Sequence, residues 1–364
     1  MMSPGSESPI LIIGTERSGS NLLRLVLNAH SRITIPHPPH FMRFLAPVAH
    51  RYGDLAVEGN RRRLVEDALA LLERHPHPWP HPVDADRVVD EAKPTLFGVV
   101  AAIYDQHRAA ERKARWGCKS TFMVNHVDDV LADYPNARFI WLVRDPCDVA
   151  SSAKRSVFGY CHPYRMARLW REQQERGRTA LAKWGPEVVH LLKYEDLVSD
   201  TEREVARLCD FLGERSETAM LEPHRSPAAQ ETAALSRSWR HVGEPISTGR
   251  VGHHVRGLSE SERLLVDKVT APVKVSLGYR IDPRSEFQPD PSRFDVALRS
   301  ALLRLRVESR SIREDRNCAR RLRRDLYVRL LRCVYFNPGS GRSPGGSHPD
   351  RAWCERGIAS RSGR

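Results

Sequence analysis

Short, mostly apolar runs alternate along the chain with longer stretches in which apolar residues return at helical spacing. Ile10-Leu11-Ile12-Ile13 is one such run, Arg138 to Val143 a second and Val188 to Leu192 a third. Segments apolar on both faces belong inside a parallel sheet. Helical spacing follows each of them: Gly19 to Asn28 turns Leu22, Leu23, Val26 and Leu27 inward, Asp148 to Lys154 leads into Met166 to Trp184, and Thr201 to Leu212 forms a further helix. Leu64 to Leu72, Leu96 to Arg112, Asn125 to Tyr134 and Glu260 to Leu277 carry the same period. Strands alternating with helices predict an α/β fold, a parallel sheet flanked by helices on both faces, with ligands held beyond the carboxyl ends of the strands. The ends at Gly14, Arg144 and Tyr194 then share one edge.

Between these elements His30 to Pro47 reads as a Pro- and His-rich loop, and His75 to Pro82 as a solvated connector. The second stretch has no acidic or Cys partner nearby and its prolines hold it extended, so no metal site is expected there. From Phe294 to Phe336, Leu and Val alternate with Arg at helical spacing, which predicts an amphipathic helical appendage able to dock on the domain or on a partner. Beyond it lies Gly/Ser/Pro/Arg low complexity. The expected organisation is a disordered leader (1–8), one main domain (9–283), a basic helical appendage (284–336) and a disordered tail (337–364).

Charge changes the picture only at the C-terminal end. The formal net charge is +13, but residues 284–364 hold 19 Arg and no Lys against 9 acidic residues, leaving +3 for the first 283 residues. The main domain is therefore nearly balanced, the basic excess belongs to a tail, and no specific nucleic-acid partner is expected. Seven scattered cysteines without CxxC or His/Cys metal spacing indicate free thiols in a reducing cytoplasm. The residues before Ile10 lack a positive n-region and the following apolar run has only strand length, so neither a secretion signal nor a membrane span is expected.

The chemistry concentrates in Gly14-Thr15-Glu16-Arg17-Ser18-Gly19-Ser20-Asn21-Leu22. A small-residue turn between a buried strand and a helix N-terminus offers backbone N–H groups and a positive dipole end to an anion. Gly14 and Gly19 have the spacing of a triphosphate loop, but Ser20 replaces the required Lys and Asn21 the Mg²⁺-binding hydroxyl. The basic group is Arg17, which suits a compact anion bound without metal. A second anion element follows the strand 138–143, with Arg144 at its end and Ser152 on the next helix.

Together these patterns resemble the sulfotransferases that use 3′-phosphoadenosine 5′-phosphosulfate (PAPS), in their bacterial carbohydrate or small-molecule and tyrosylprotein-like branches. The resemblance runs from about Ile10 to Tyr279. Arg17, Ser18, Gly19, Ser20, Asn21 and Leu22 are similar to the 5′-phosphosulfate loop RSGTTL, and Arg144 and Ser152 to the pair that holds the 3′-phosphate. Lys119 falls at the family's GEKTP-like segment, which implies contact with the sulfuryl group or bridging oxygen, and Tyr194 opens a YEDL segment on the nucleotide side. Gly243 to Gly252 resembles the late loop that folds over the cofactor, with Arg250 and Gly252 as contacts. The implied reaction moves a sulfuryl group to a hydroxyl or amine of a carbohydrate, lipid or other small-molecule acceptor and releases adenosine 3′,5′-bisphosphate (PAP) without metal, Arg17 and Lys119 neutralising the leaving phosphate.

Two departures stand out. Relatives place a catalytic Glu in a PPETHF-like loop, and here that position is Pro38 in Pro36-His37-Pro38-Pro39-His40-Phe41. Imidazole serves as a base near neutral pH, which makes His40 the first candidate and His37 the second. Glu244 stands where relatives carry a basic residue. The competing readings are a small-molecule kinase of the same fold, which would need ATP and Mg²⁺, a catalytically inactive cofactor-binding homologue, and a tail whose main role is binding nucleic acid or an anionic membrane. Cofactor binding that survives deletion at Pro291 would set the last of these aside.

Overall fold

The strand β1 (Ile10–Gly14) lies at the centre of a five-stranded parallel sheet, in a computed structural model that describes residues 8–334. With β2 (Ile33–Thr34), β3 (Arg115–Cys118), β4 (Arg138–Val143) and β5 (Val189–Lys193), the order is β2-β3-β1-β4-β5. β1 pairs with β4 from Ile10↔Arg138 to Gly14↔Leu142, and β4 with β5 from Phe139↔Val189 to Val143↔Lys193. This register brings Gly14, Arg144 and Tyr194 to one edge, as the strand pattern predicts.

Helix α1 (Ser20–Asn28) joins β1 to β2, and α2 (Phe41–Leu45), α3 (Glu58–Glu73), α4 (Ala85–Glu91) and α5 (Leu96–Ala110) lie between β2 and β3. α6 (Val127–Asp133) precedes β4, while α7 (Pro146–Ala153) and α8 (Pro163–Trp184) connect β4 to β5. After the sheet come α9 (Tyr194–Ser199), α10 (Thr201–Leu212), α11 (Pro227–Leu235), α12 (His254–Gly257), α13 (Glu260–Ser276), α14 (Arg293–Glu314) and α15 (Cys318–Val334). Strand alternation divides the core. Leu11, Ile13, Phe139 and Trp141 pack on one face with residues of α3, α5 and α8, and Ile10, Ile12, Ile140 and Leu142 on the other with α1 and α10. Trp141 is held by its Nε1, which donates to Gln174 Oε1 at 2.6 Å, and Gln174 Nε2 donates to Thr15 Oγ1 at 2.9 Å, tying α8 to the first loop.

Several expectations are corrected. The stretch His30 to Pro47 is more than a loop: it holds β2, α2 and the start of a 3₁₀ turn over Ala46–Arg51. β2 and β3 carry no strand-length apolar run and exist because β1 and its neighbours supply pairing partners. The helix expected over Asn125 to Tyr134 forms as α6, starting two residues later because a 3₁₀ turn, Thr121–Asn125, precedes it. The His/Pro connector is only partly solvated, since His75 and Pro76 are buried and Trp79 Nε1 donates to the His37 carbonyl at 2.8 Å. Ser8, placed in the leader, is held by Arg115, while residues 1–7 and 335–364 of the leader and tail lie outside the described residues.

The appendage is two long helices that dock. Arg304 donates to the Val157 carbonyl at 2.8 Å, Asp315 accepts from Ser236 and Arg237, and Tyr327 donates to Asp67 at 2.7 Å. Val328 and Leu331 join the main core.

Candidate active site

Loop 14–20 is shaped by two glycines. Gly14 has φ 135°, and a Cβ there would stand 2.3 Å from the Leu142 carbonyl oxygen. Gly19 has φ 91°, and its Cβ would stand 2.3 Å from the Tyr194 ring. Only a residue without a side chain permits both the left-handed backbone and this approach of α1 to the end of β5. Arg17 is itself left-handed, φ 71°, which throws its side chain across the strand ends. Its Nε donates to Ser152 Oγ at 3.2 Å and its Nη2 to the Ser238 carbonyl at 3.2 Å, so the first loop and α7 close on each other. Burial foremost, then Arg144 and Arg155 against the opposing charge of Glu16, brings the Arg17 guanidinium down to about 10, a cation that gains from a bound anion.

Arg144 leaves the end of β4 where Asp145 caps α7, accepting from Cys147 N at 2.8 Å, with Pro146 at the first helical position. The Arg144 guanidinium lies 4.2 Å over the Tyr194 ring and donates to the Arg250 carbonyl at 2.6 Å and the Arg17 carbonyl at 3.4 Å. Asp148, one turn on, is the anchor that sequence reasoning missed. Its carboxylate accepts from Gly252 N (2.9 Å) and from His254 N (2.8 Å) and Nδ1 (2.9 Å), and sits 3.5 Å from Arg144. Burial pushes its carboxyl up, but these hydrogen bonds and the Arg144 charge outweigh it and hold it below the usual range. The late loop is thereby clamped over α7. Arg250 lines the cavity and pairs with His241, which also binds Glu244, the residue found where a base was usual. Gly252 does not line the cavity, and its N–H goes to Asp148.

One cavity of about 240 Å³ unites these groups. It takes in Arg17, Gly19 to Leu22, His37, His40, Lys119, Arg144, Ser152, Tyr194 and Arg250, so all but Ser18 and Gly252 of the expected site residues face it. Thr121 Oγ1, Arg144 Nε and Ser151 Oγ, on residues lining it, are buried without a hydrogen-bond partner among the described residues, as is Ser18 Oγ in the loop. Orphaned buried polar groups cost stability unless a ligand meets them, so this set fits a polyanion. Among the described residues no group of three or more His, Cys, Asp or Glu is arranged to hold a metal ion.

Lys119 follows β3 and enters the opposite wall 7 % exposed, with no ion pair or hydrogen bond among the described residues. Burial, then the Arg24 charge, pulls its ammonium down to about 7 against the pull of Glu16 and Cys118. Beside it His40 (φ 60°) is hydrogen-bonded through Nδ1 to Ser120 Oγ at 3.0 Å. His37 packs between His75, His77 and Trp239 with centroids 5.1, 5.2 and 4.5 Å away, and neither ring nitrogen has a hydrogen-bond partner among the described residues. Burial, and next Lys119, holds both imidazoles well below their ordinary value and therefore neutral. Glu16, salt-bridged to Arg43 at 2.9 Å, turns a second, unpartnered carboxylate oxygen into the same region. Its place in the loop between Gly14 and Gly19 was the signal available in the sequence. Trp239 and Arg324 give no such signal, since α15 reaches the cavity only through the docking of the appendage.

The model of the sulfotransferase family matches residues 9–217. An uncharacterized protein of Aquifex aeolicus (strain VF5) is 23% identical over 241 residues, 64% of this chain, which covers only 29% of that relative's length. Among solved structures, the sulfotransferase domain from the olefin synthase of Synechococcus PCC 7002 matches with a TM-score of 0.54 at 20% identity, over 76% of this chain and 97% of that domain. The sulfotransferase domain from the curacin biosynthetic pathway is 21% identical over 76% of this chain and 99% of its own, with a TM-score of 0.46.

Proposed function

Because the chain belongs to the sulfotransferase family, we propose that it transfers a sulfuryl group from PAPS to a hydroxyl or amine of a small-molecule acceptor, a carbohydrate or lipid among them, in the cytoplasm. PAPS supplies an activated sulfuryl group: the acceptor oxygen or nitrogen bonds to sulfur, the bond from sulfur to the phosphate oxygen breaks, the acceptor proton passes to a base, and PAP leaves.

The observation that carries the reading is the set of unpartnered buried donors on Arg144, Ser151, Thr121 and the first loop, beside the cations of Arg17 and Lys119, around one cavity. In this reading Ser18 to Leu22 hold the 5′ end, and Arg144 and Ser152 the 3′-phosphate, with Tyr194, Arg250 and the Gly252 turn closing that side. Lys119 and Arg17 meet the charge that develops on the leaving phosphate. His40 is the base: Nδ1–H donating to Ser120 Oγ leaves Nε2 as the acceptor, and the neutral ring is the form that takes a proton. His37 remains the alternative, and Glu16 is a third group able to accept a proton in the same cavity. The six cysteines among the described residues are unpaired, which supports a reducing compartment.

Calorimetric titration with PAP in the absence of metal, beside ATP with Mg²⁺, tests the donor assignment. Metal-free PAP binding that exceeds ATP binding is expected, and a preference for ATP with Mg²⁺ would give the site to a kinase. Turnover of His40→Asn, His37→Asn and Glu16→Gln, with PAP binding as the control, then assigns the base.

A further inference from the structure

Eight of the thirteen large apolar side chains left exposed among the described residues sit on α14 and α15. On α14 they are Phe294, Leu298, Leu302, Leu305 and Ile312, between 48% and 76% exposed. At 100° per residue these five positions fall within about 80° of one another, a single stripe about 27 Å long at 1.5 Å per residue. The helix's packing needs are already met elsewhere: Val296, Val307 and Ser311 are buried on the opposite side, and Arg304 and Asp315 bind the domain. α15 repeats the arrangement, with Leu322, Leu326 and Leu330 outward while Arg324, Val328 and Leu331 face inward.

Arginine borders the stripe. Arg299, Arg306, Arg310 and Arg313 follow its edge on α14, all exposed. Residues 293–334, the two helices and their connector, hold 13 arginines and no lysine against five acidic residues. Arg306, Arg313, Arg316 and Arg323 have no ion-pair partner among the described residues.

We propose that the outer face of α14, continued by α15, docks on the surface of a lipid bilayer that carries anionic headgroups. An amphipathic helix of this kind lies in the interfacial plane with its apolar side chains among the acyl chains and its cations at the headgroups. Charge disfavours the other occupants. A second copy of the chain would set arginine against arginine, and residues 335–364, with five arginines against two acidic residues, carry the same sign. A nucleic acid would meet the arginines and leave the apolar stripe in water. The docked helix also brings the active-site cavity near the bilayer, since Arg324 of α15 lines it.

Flotation of the full chain with vesicles of phosphatidylcholine, alone and mixed with phosphatidylglycerol, tests the proposal. Binding is expected only to the mixed vesicles and falls with added salt. The double variant Leu302→Ser, Leu305→Ser should lower partitioning at least about tenfold while leaving the melting temperature unchanged, because both side chains are exposed. In wild type, vesicle-dependent protection of backbone amides from hydrogen exchange should fall on residues 293–314. Absence of binding to anionic vesicles, the result an acidic protein partner would give, overturns the proposal. So does binding that the double variant leaves intact, or protection confined to other segments.

Discussion

Replacing Lys119 by methionine should stabilise the protein and disable it. The side chain is buried at the cavity wall, its ammonium has no hydrogen-bond or ion-pair partner among the described residues, and burial together with Arg24 brings it from 10.5 to about 7. At about 1.4 kcal/mol per pH unit, that displacement corresponds to a cost on the order of 5 kcal/mol for holding the cation in the folded chain. The sign follows from proton counting. Between about pH 7 and 10.5 the unfolded chain keeps the proton that the folded chain has lost, so wild-type stability rises with pH across this window, and the full penalty is present below it. Methionine occupies similar space and carries no charge. Urea unfolding at pH 6 and pH 9 should show Lys119→Met more stable than wild type by at least about 2 kcal/mol at the lower pH, with the gap shrinking at the higher. Turnover should fall at least about a hundredfold, as for loss of a group that stabilises transition-state charge. A variant less stable than wild type at pH 6, or a gap that ignores pH, would refute the reasoning and make Lys119 a structural residue.

Three further outcomes follow from the same geometry. Arg144→Ala removes the cation stacked on Tyr194 and should weaken metal-free PAP binding by about ten- to a hundredfold, the range for a charged hydrogen bond, and calorimetry showing unchanged affinity would remove Arg144 from the phosphate site. Gly19→Ala adds a Cβ 2.3 Å from the Tyr194 ring at φ 91°, so thermal unfolding should show a loss of at least about 1 kcal/mol, and a neutral result would mean that the loop and Tyr194 separate freely. His37, His40 and His75 are all pulled down by burial, His75 to about 3, so the stability they contribute is complete above pH 6.5 and declines as pH falls below it. His75→Leu should flatten that acid limb in a pH series of melts.

What was legible in the sequence was local. Ile10 to Gly14 and Arg138 to Val143 match their observed bounds because a short run apolar on both faces has few places to go except the middle of a sheet. Loop 14–22 was readable because its chemistry resides in backbone donors and glycine conformations that neighbouring residues set. Arg144 and Tyr194 were placed beside Gly14 because strand ends of a parallel sheet share an edge whatever the sequence between them, whereas Ser152, on the helix after β4, was placed only by the resemblance to the pair that holds the 3′-phosphate.

The rest depended on groups distant along the chain. β2 and β3 are too short and mixed in composition to announce themselves, and they form because partners are already aligned beside them. The imidazole ring of His37 meets His75, His77 and Trp239 only after the connector and the segment following α11 fold over it, which is why a run read as solvated became part of a wall. Asp148 is an ordinary helix residue until the loop carrying Gly252 and His254 arrives. The sequence by itself therefore determined the strands β1, β4 and β5, the loop from Gly14 to Leu22 and the place of Arg144 at the strand edge, since these follow from local pattern and a general rule of topology. Only the tertiary structure decided that Lys119 is a buried, unpaired cation and that α15 reaches the cavity, since desolvation and long-range docking exist only once the chain has closed on itself.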